Sequence, residues 1–416
     1  MLDPAEVINA APGQAAFTGT PFSARTTSFN PGVYRFCAWD IYHVVEVFTT
    51  VLDELRTLRE AAVVIDMSPL SKHDISGPDA ERFVDYVLTR DATRIETGQI
   101  KWTAWCDHDG KVISDGMVFR LGEDHFRITG DPSGNWLEKN SEGFDVELAD
   151  ITHERGILSL QGPRSRDVLE AVLGGQDADI PFSRVRIATI GGVEVEVARQ
   201  GFTGEHGYEL CVARDDAVAL WDAVMAAGQA HGIKPCGYAA ADIARLEAGL
   251  VIPGPDYTNG GLAENPGAHL DVDTANTVSP YASRMARAVD LDKGDFIGKQ
   301  ALLEEAQNGT KQDMVGLKID WQGVADLYIR QDIPPRVGAT PIWVPLPVSK
   351  DGAPIGRATS AAYSPAAGGM AAFGFLDKEY CVPGTEVSVE FDVEEVSGPV
   401  NAEVVDLPFL ALKRAN

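Results

Sequence analysis

The chain has 416 residues, 44% of them hydrophobic and 23% charged, and its 62 acidic against 35 basic side chains give a formal net charge of −27. Those are globular values at a length that favours two or three domains over one core. The acidic excess repels phosphate backbones and anionic bilayers, so nucleic-acid binding and membrane docking are excluded, and no window reaches the apolar length of a membrane span.

In chain order, residues 1–35 are rich in turn formers and are expected to form an arm packed on the body. Met1-Leu2-Asp3-Pro4-Ala5-Glu6 lacks a basic region followed by an apolar core, so no signal peptide is expected. Leu52–Ala62 has helical periodicity, and Ala62-Val63-Val64-Ile65-Asp66 reads as a buried strand. A turn at Ser76-Gly77-Pro78-Asp79 opens a helix over Ala80–Leu88, with Asp79 and Glu81 in its first turn. Strands follow at Gln99–Cys106, Lys111–Leu121 and His125–Thr129, parted by Asp109-Gly110 and Gly122-Glu123-Asp124.

A second unit begins near Gly156, with a strand into Gln161-Gly162-Pro163 and a helix over Ser165–Leu173. The match of Ser76-Gly77-Pro78-Asp79-Ala80 with Gln161-Gly162-Pro163-Arg164-Ser165, each opening a helix, points to an internal repeat. The strand Val193–Arg199, then helices Asp216–His231 and Ala239–Leu250, complete an α+β body of two related halves. Beyond about residue 310 prolines cluster, helical periodicity disappears, and runs such as Glu386–Phe391 and Ala402–Val405 alternate, which predicts an all-β module. The expected divisions are 1–155, 156–308 and 309–416, the last boundary falling in Asn308-Gly309-Thr310.

Five cysteines are scattered without a CxxC pair, and the eight histidines, His269 among them, show no ligand spacing. Neither a disulfide framework nor a metal site is expected, and a cytoplasmic setting fits. Gly368-Gly369 forms neither a P-loop nor a dinucleotide fingerprint, so no flavin domain is expected. The most informative stretch is Arg199–Leu210. Closely spaced glycines with Glu205 between them and Glu209 beyond make a turn entering a strand, able to hold a carboxylate against a flat, hydrogen-bonding ligand.

That stretch does not stand alone. Asp66-Met67-Ser68, Gly77-Pro78-Asp79-Ala80, Gly98 to Trp102, Asp109-Gly110 to Asp115-Gly116, and Leu160-Gln161-Gly162-Pro163 precede it. Arg245-Leu246-Glu247-Ala248-Gly249, Asp295-Phe296-Ile297-Gly298-Lys299, Gly356-Arg357-Ala358-Thr359-Ser360 with Ser364-Pro365, and Leu407-Pro408-Phe409 follow. In this order they resemble the glycine cleavage T-protein family over roughly residues 20–412. The resemblance implies a three-lobed α+β fold: two related α+β domains and a C-terminal all-β barrel around a central folate funnel.

It also implies roles. Asp115 occupies the position of the family's catalytic aspartate beside N5 of tetrahydrofolate, where a carboxylate orients N5 and takes its proton; read alone, Asp115 before Gly116 is a turn residue. Ser114 replaces the first acid of the family's usual pair, so a second carboxylate is missing there. Glu209 matches the glutamate that binds the pterin, with Glu205 expected to be a turn residue. Trp102 stands where a tyrosine is usual, and with Tyr208 and Phe202 it is expected to wall the folate. Trp105 and His206 are further pocket candidates, and core packing is the competing reading for Trp105. Ala241 fills the place of an arginine, which removes a fork for a carboxylate and enlarges the pocket; Arg245 reads as a structural helix residue.

The function expected is a tetrahydrofolate-dependent methyltransferase that demethylates a small donor to give 5-methyltetrahydrofolate. The donor is an onium compound such as a sulfonium or betaine, whose cation aromatic rings would hold, or an aryl methyl ether. The alternatives are the aminomethyltransferase of glycine cleavage, which needs a lipoyl carrier protein, and a non-catalytic folate-binding protein. The Lys-Gly-Cys-Tyr-x-Gly-Gln segment usual in that last branch is absent from the sequence.

Overall fold

The structure, a computed structural model, describes residues 18–28, 36–131, 133–258, 276–338, 340–394 and 396–413. Much of the expected arm, like His269, lies outside them. The described part of the arm packs as anticipated. β1 (Thr18–Gly19) pairs with β3 (Tyr42–Val45) of the hairpin that β3 forms with β2 (Phe36–Trp39), and the short α1 (Ser23–Thr26) follows β1. Phe22 is fully buried, its ring centroid 6.2 Å from that of Trp221.

α2 (Val51–Glu60) forms because Leu55 and Leu58 recur on one face and Thr50 caps it, accepting from the Asp53 amide. β4 (Val63–Asp66) and β5 (Ser71–Ser76) follow, then α3 (Ala80–Val87). β6 (Ile100–Cys106), β7 (Val112–Arg120) and β8 (His125–Gly130) make a meander, with α4 (Gly134–Asn140) and β9 (Glu147–Asp150) behind it. The first sheet has the order β6-β7-β8-β5-β9. Its outer face packs on α3 and α4 through Ile75, Phe83, Ile128 and Trp136.

β10 (Arg155–Gln161), α5 (Ser165–Leu173), β11 (Val185–Ile190), β12 (Val193–Ala198), β13 (Gly207–Ala213), α6 (Ala217–Gly228), β14 (Lys234–Pro235) and α7 (Tyr238–Glu247) build the second lobe. Its sheet has the order β11-β12-β13-β10-β4-β14. β4 thus comes from before residue 155 yet pairs with β10. The loop before α8 (Lys299–Asn308) returns to the first lobe, where Ile297 joins the Phe83 cluster and Lys293 Nζ donates to the Leu88 and Arg90 carbonyls. The two lobes therefore exchange chain across residue 155: β4 from before it completes the second sheet, and the loop before α8 from after it joins the first lobe's core.

The repeat is visible in the backbone. Gly77 (φ 125°) precedes α3 and Gly162 (φ 119°) precedes α5, and a Cβ at either would lie 2.7 Å from the Asp145 carbonyl oxygen or 2.5 Å from that of Ala61. Only glycine passes both turns.

The last lobe is a closed barrel of β15 (Gln312–Ile319), β16 (Leu346–Lys350), β17 (Ala353–Ser364), β18 (Gly369–Asp377), β19 (Glu386–Val393) and β20 (Val396–Val405). It also carries a helix, α9 (Trp321–Ile329), against the all-β expectation. Asp320 caps that helix, and Val324 and Leu327 bury against the barrel. Among the described residues no helix is long and apolar enough to cross a membrane.

Candidate active site between the two sheets

Residues paired in register across an antiparallel sheet point to the same side, and neighbours along a strand to opposite sides. In the first sheet, Trp102 pairs with Met117, Met117 with Thr129, and Thr129 with Lys72. The row beside it is Ile100, Phe119, Arg127 and Asp74. Asp115 precedes Met117 by two, so it lies on this same inner face. The second sheet answers with Glu209 and Cys211 of β13 and with Ala198 and Glu196 of β12, which pair with them. A cavity between the sheets is lined by Lys72, Phe119, Arg127 and Thr129 on one wall and Glu196, Ala198, Glu209 and Cys211 on the other. Of the two acids of the sequence motifs, Glu209 lines this cavity, and Asp115 lies further along the inner face of the facing sheet.

Asp115 is held by two donors. Trp102 Nε1 donates to Oδ2 at 2.8 Å, and Tyr257 OH donates to Oδ1 at 2.7 Å. Tyr257 is fully buried. Burial raises the Asp115 pKa to about 6, opposed by those two hydrogen bonds and aided by the negative charge of Asp256. Position 102 thus provides a donor for the acid through its indole, even without a tyrosine hydroxyl. The guanidinium of Arg287 covers the Trp102 ring at 4.9 Å.

Ser114 points to the opposite face and is fully buried, so no acid occupies that position. A second carboxylate nevertheless stands nearby. Gly116 pairs with Gly130, which sets Asp131, just past the end of β8, opposite Asp115. Burial, then the charges of Asp115 and Asp40, push the Asp131 pKa up to about 7. Asp40 sits at the tip of the β2–β3 hairpin with φ 54°. Neither Asp131 nor Tyr257 has a local motif. Their relation to Asp115 exists only once strand register and the return of the chain after α7 are known.

Glu209 accepts from Gln200 Nε2 at 2.5 Å. Burial lifts its pKa to about 6, while Gln200 and the positive charge of Lys72 pull it down. Glu205, expected as a turn residue, is buried and ion-paired with Arg59 of α2 at 3.3 Å, so it ties the turn to the body.

The remaining sequence-derived residues divide by face. Phe202 packs on the central cluster that also receives Trp102 and contains Tyr257 and Ala241. Tyr208 does not reach the inner face. It alternates with Glu209 and is buried among Leu160, Leu210 and Trp221 on the helix-covered side of the sheet, its ring 5.4 Å from the Arg199 guanidinium. Trp105 is likewise on the outer face of its sheet, buried with Phe83 and Trp136 and donating to Ser133 Oγ at 3.0 Å. His206 lies by the start of α5, where Nδ1 meets Ser165 Oγ at 3.0 Å, and burial lowers its pKa to about 4. The structure thus sets Tyr208, Trp105 and His206 away from the cavity, and in each case strand alternation or the turn before the strand is the reason.

Ala241 is 1% exposed inside α7. On the same helix, Asp242 accepts from Trp343 Nε1 of the barrel lobe at 2.8 Å and from Arg245 Nε at 2.7 Å. Arg245 also bonds Asp256 and Ser360, which makes it a joint between lobes, as its structural reading expects. Among the described residues no group of three or more His, Cys, Asp or Glu could hold a metal ion.

Comparisons with known proteins agree with this architecture. The GCVT N-terminal domain model matches residues 22–261, and the glycine cleavage T-protein C-terminal barrel domain model matches residues 325–410. An aminomethyltransferase of Saccharopolyspora erythraea is 31% identical over 86% of this chain and 89% of its own length. One from Halothermothrix orenii is 30% identical over 87% and 92%. The crystal structure of the glycine cleavage system aminomethyltransferase T from Bartonella henselae superposes with a TM-score of 0.78 at 25% identity, covering 95% of this chain and 99% of that one.

Proposed function

As the chain belongs to the glycine cleavage T-protein family and is a tetrahydrofolate-dependent one-carbon transferase, we propose that Asp115 and Glu209 divide its chemistry between the two walls of the inter-sheet space. One observation carries the assignment: Asp115, a half-buried carboxylate with two neutral donors, lies on the inner face of the first sheet, and Glu209, a half-buried carboxylate of the second sheet, lines the cavity between the sheets. Among the described residues Glu209 keeps an oxygen without a protein donor, and beside it Gln200 Oε1 is a buried acceptor with no partner.

Tetrahydrofolate supplies N5 as the acceptor of the carbon. Glu209 accepts side by side from the ring N–H and the exocyclic amino group and fixes the heterocycle. Asp115 orients N5 and takes its proton on a carboxylate oxygen. Trp102 and Tyr257 hold that carboxylate without supplying a counter-charge, so it stays basic enough to accept a proton near neutrality. Asp131 keeps a second titratable carboxyl at the same place. The pair resists double ionisation, which favours keeping a proton within the site.

For the donor, the names of the relatives favour an aminomethyl group on a lipoyl carrier protein, giving methylenetetrahydrofolate. A second reading, demethylation of a small sulfonium, betaine or aryl methyl ether, is favoured by Ala241, where the family's arginine is absent, and by the indole of Trp102 on the acid. One experiment separates them. The protein is incubated with tetrahydrofolate and either aminomethylated lipoyl carrier or a panel of methyl donors, and the folate products are read by mass. Methylenetetrahydrofolate from the carrier alone establishes the first reading. 5-Methyltetrahydrofolate from a methyl donor establishes the second, and neither product overturns both.

A further inference from the structure

Lys72 is fully buried on β5, and two of its three ammonium hydrogens are used: Nζ donates to the Ser68 carbonyl at 2.9 Å and to that of Leu70 at 2.7 Å. It faces the same cavity as Glu209, and no ion pair joins the two among the described residues. Gln200 is 4% exposed, gives an Nε2 hydrogen to Glu209, and leaves Oε1 without a partner among the described residues. Buried polar atoms are seldom left without partners, and an unpaired one costs about 1–3 kcal/mol. A donor without a third acceptor among the described residues and a carboxylate therefore border one cavity, and an unpaired amide oxygen adjoins that carboxylate.

We propose that Lys72 and Gln200 flank Glu209 as the remaining members of a pterin-edge reader, Lys72 donating to the 4-oxo oxygen and Gln200 Oε1 accepting from the 2-amino group. The proposal rests on the folate reading above. The match is one of hydrogen-bond polarity. The edge of a 4-oxo pterin runs acceptor, donor, donor across O4, N3–H and the 2-amino group, and the protein offers donor, carboxylate, acceptor. Two backbone carbonyls set the direction of the remaining Nζ hydrogen, so little side-chain freedom is lost on binding. The positive charge of Lys72 also lies within range of Glu209 and supports its ionised form, the form that can accept from two donors. Exchange of the 4-oxo group for a 4-amino group places donor against donor at Lys72. A site built to bond a polar group discriminates strongly against an analogue that leaves the group unmet.

The test is binding, read by titration calorimetry on the full-length protein without donor. Its ligands are tetrahydrofolate, its 4-amino-4-deoxy analogue and its 2-desamino-2-methyl analogue. Lys72→Met should weaken tetrahydrofolate about 10-fold and the 4-amino analogue less than about 2-fold, so that the ratio between the two ligands changes. Gln200→Leu should weaken tetrahydrofolate by a similar factor and leave the 2-methyl analogue unaffected. The second variant keeps the test decisive where Lys72→Met does not fold. Ratios that stay at the wild-type value in both variants overturn the proposal. A wild-type protein that binds none of the three ligands overturns instead the folate reading on which it stands.

Discussion

At the scale of single residues, two carboxylates carry the site, and each can be tested by removing its charge alone. Asp115→Asn keeps the shape, its amide oxygen able to accept from Trp102 and its NH2 to donate to a reoriented Tyr257 hydroxyl, but it cannot take a proton. It should lower kcat by about 10²–10⁴ while folate binding holds, and a rate within threefold of wild type would remove Asp115 from proton transfer. Because burial sets the Asp115 pKa at about 6, wild-type turnover should fall as pH drops below that value, and the inflection should be missing in the variant. Glu209→Gln has the opposite signature in stability. The folded pKa of Glu209, about 6, lies above the unfolded value near 4.3. The ionised folded form is therefore the penalised one, and stability falls as pH rises from about 4.3 to 6 and stays low above it. Glutamine escapes that penalty. Thermal unfolding of the apoprotein at pH 8 should show Glu209→Gln more stable than wild type by roughly 1–2 kcal/mol, with the difference gone near pH 4. Its folate Kd should rise at least about 10-fold, the stability–function exchange expected of a binding-site charge. Both carboxylates were singled out in the sequence because the resemblance to the T-protein family marks their positions; read alone, Asp115 is a turn residue and Glu209 a strand-edge charge. Lys72, Asp131 and Tyr257 were not, since each meets the site only through register or through a return of the chain.

At the scale of elements, the expected helices and most expected strands fall within three residues of where periodicity places them, and Ser165–Leu173 coincides with α5. What periodicity does not give is which side of a strand faces which neighbour. Tyr208 and Glu209 are adjacent in a single motif, yet the strand sends one into the helix-packed core and the other into the cavity. Trp102 and Trp105 part in the same way, three positions and therefore one face apart. Helix α9 was hidden by the prolines around it, although Asp320 two residues before Gln322 is a capping signal of the ordinary kind. The repeated glycine turns give an element-scale prediction with an internal control. At Gly162 (φ 119°) an added Cβ would stand 2.5 Å from the Ala61 carbonyl oxygen, whereas at Gly175 (φ 101°) it would meet nothing within 4 Å. Alanine at 175 meets only backbone strain, on the order of 1–2 kcal/mol. Alanine at 162 adds a clash with backbone that cannot rotate away. Urea unfolding should rank Gly162→Ala as the more destabilised by at least ~1 kcal/mol, and equal midpoints would show that the turn relaxes freely.

At the scale of the whole molecule, two kinds of charge act in opposite ways. Between the lobes, Arg245 is buried with Asp242 and Asp256, their side chains 1%, 1% and 0% exposed, and it reaches Ser360 of the barrel. Such a network is poorly screened by salt because ions do not enter it. The exterior differs. Even if each of the 35 basic residues paired with an acid, 27 of the 62 acids would remain unmatched, so the average acidic side chain has repulsive neighbours. Repulsion of this kind weakens the compact state relative to the extended chain, where the same charges lie further apart. Its range shrinks from about 30 Å at 0.01 M salt to about 3 Å at 1 M. Salt also weakens surface ion pairs such as Arg166–Glu170, both half exposed. Exposed pairs of that type contribute only ~0.2–1 kcal/mol each, and much of that is already lost at moderate ionic strength. The unmatched acids therefore dominate the balance. Thermal unfolding in potassium chloride should show Tm rising steadily from about 0.02 to 1 M, with most of the gain below ~0.3 M, where the Debye length shortens fastest in absolute terms. A matched series in sodium sulfate, compared at equal ionic strength, separates screening from preferential exclusion, since exclusion keeps strengthening burial at high concentration. A Tm that is flat or falls across the chloride series would mean that the acids are already neutralised by their arrangement, and that the net charge of −27 costs the folded protein nothing.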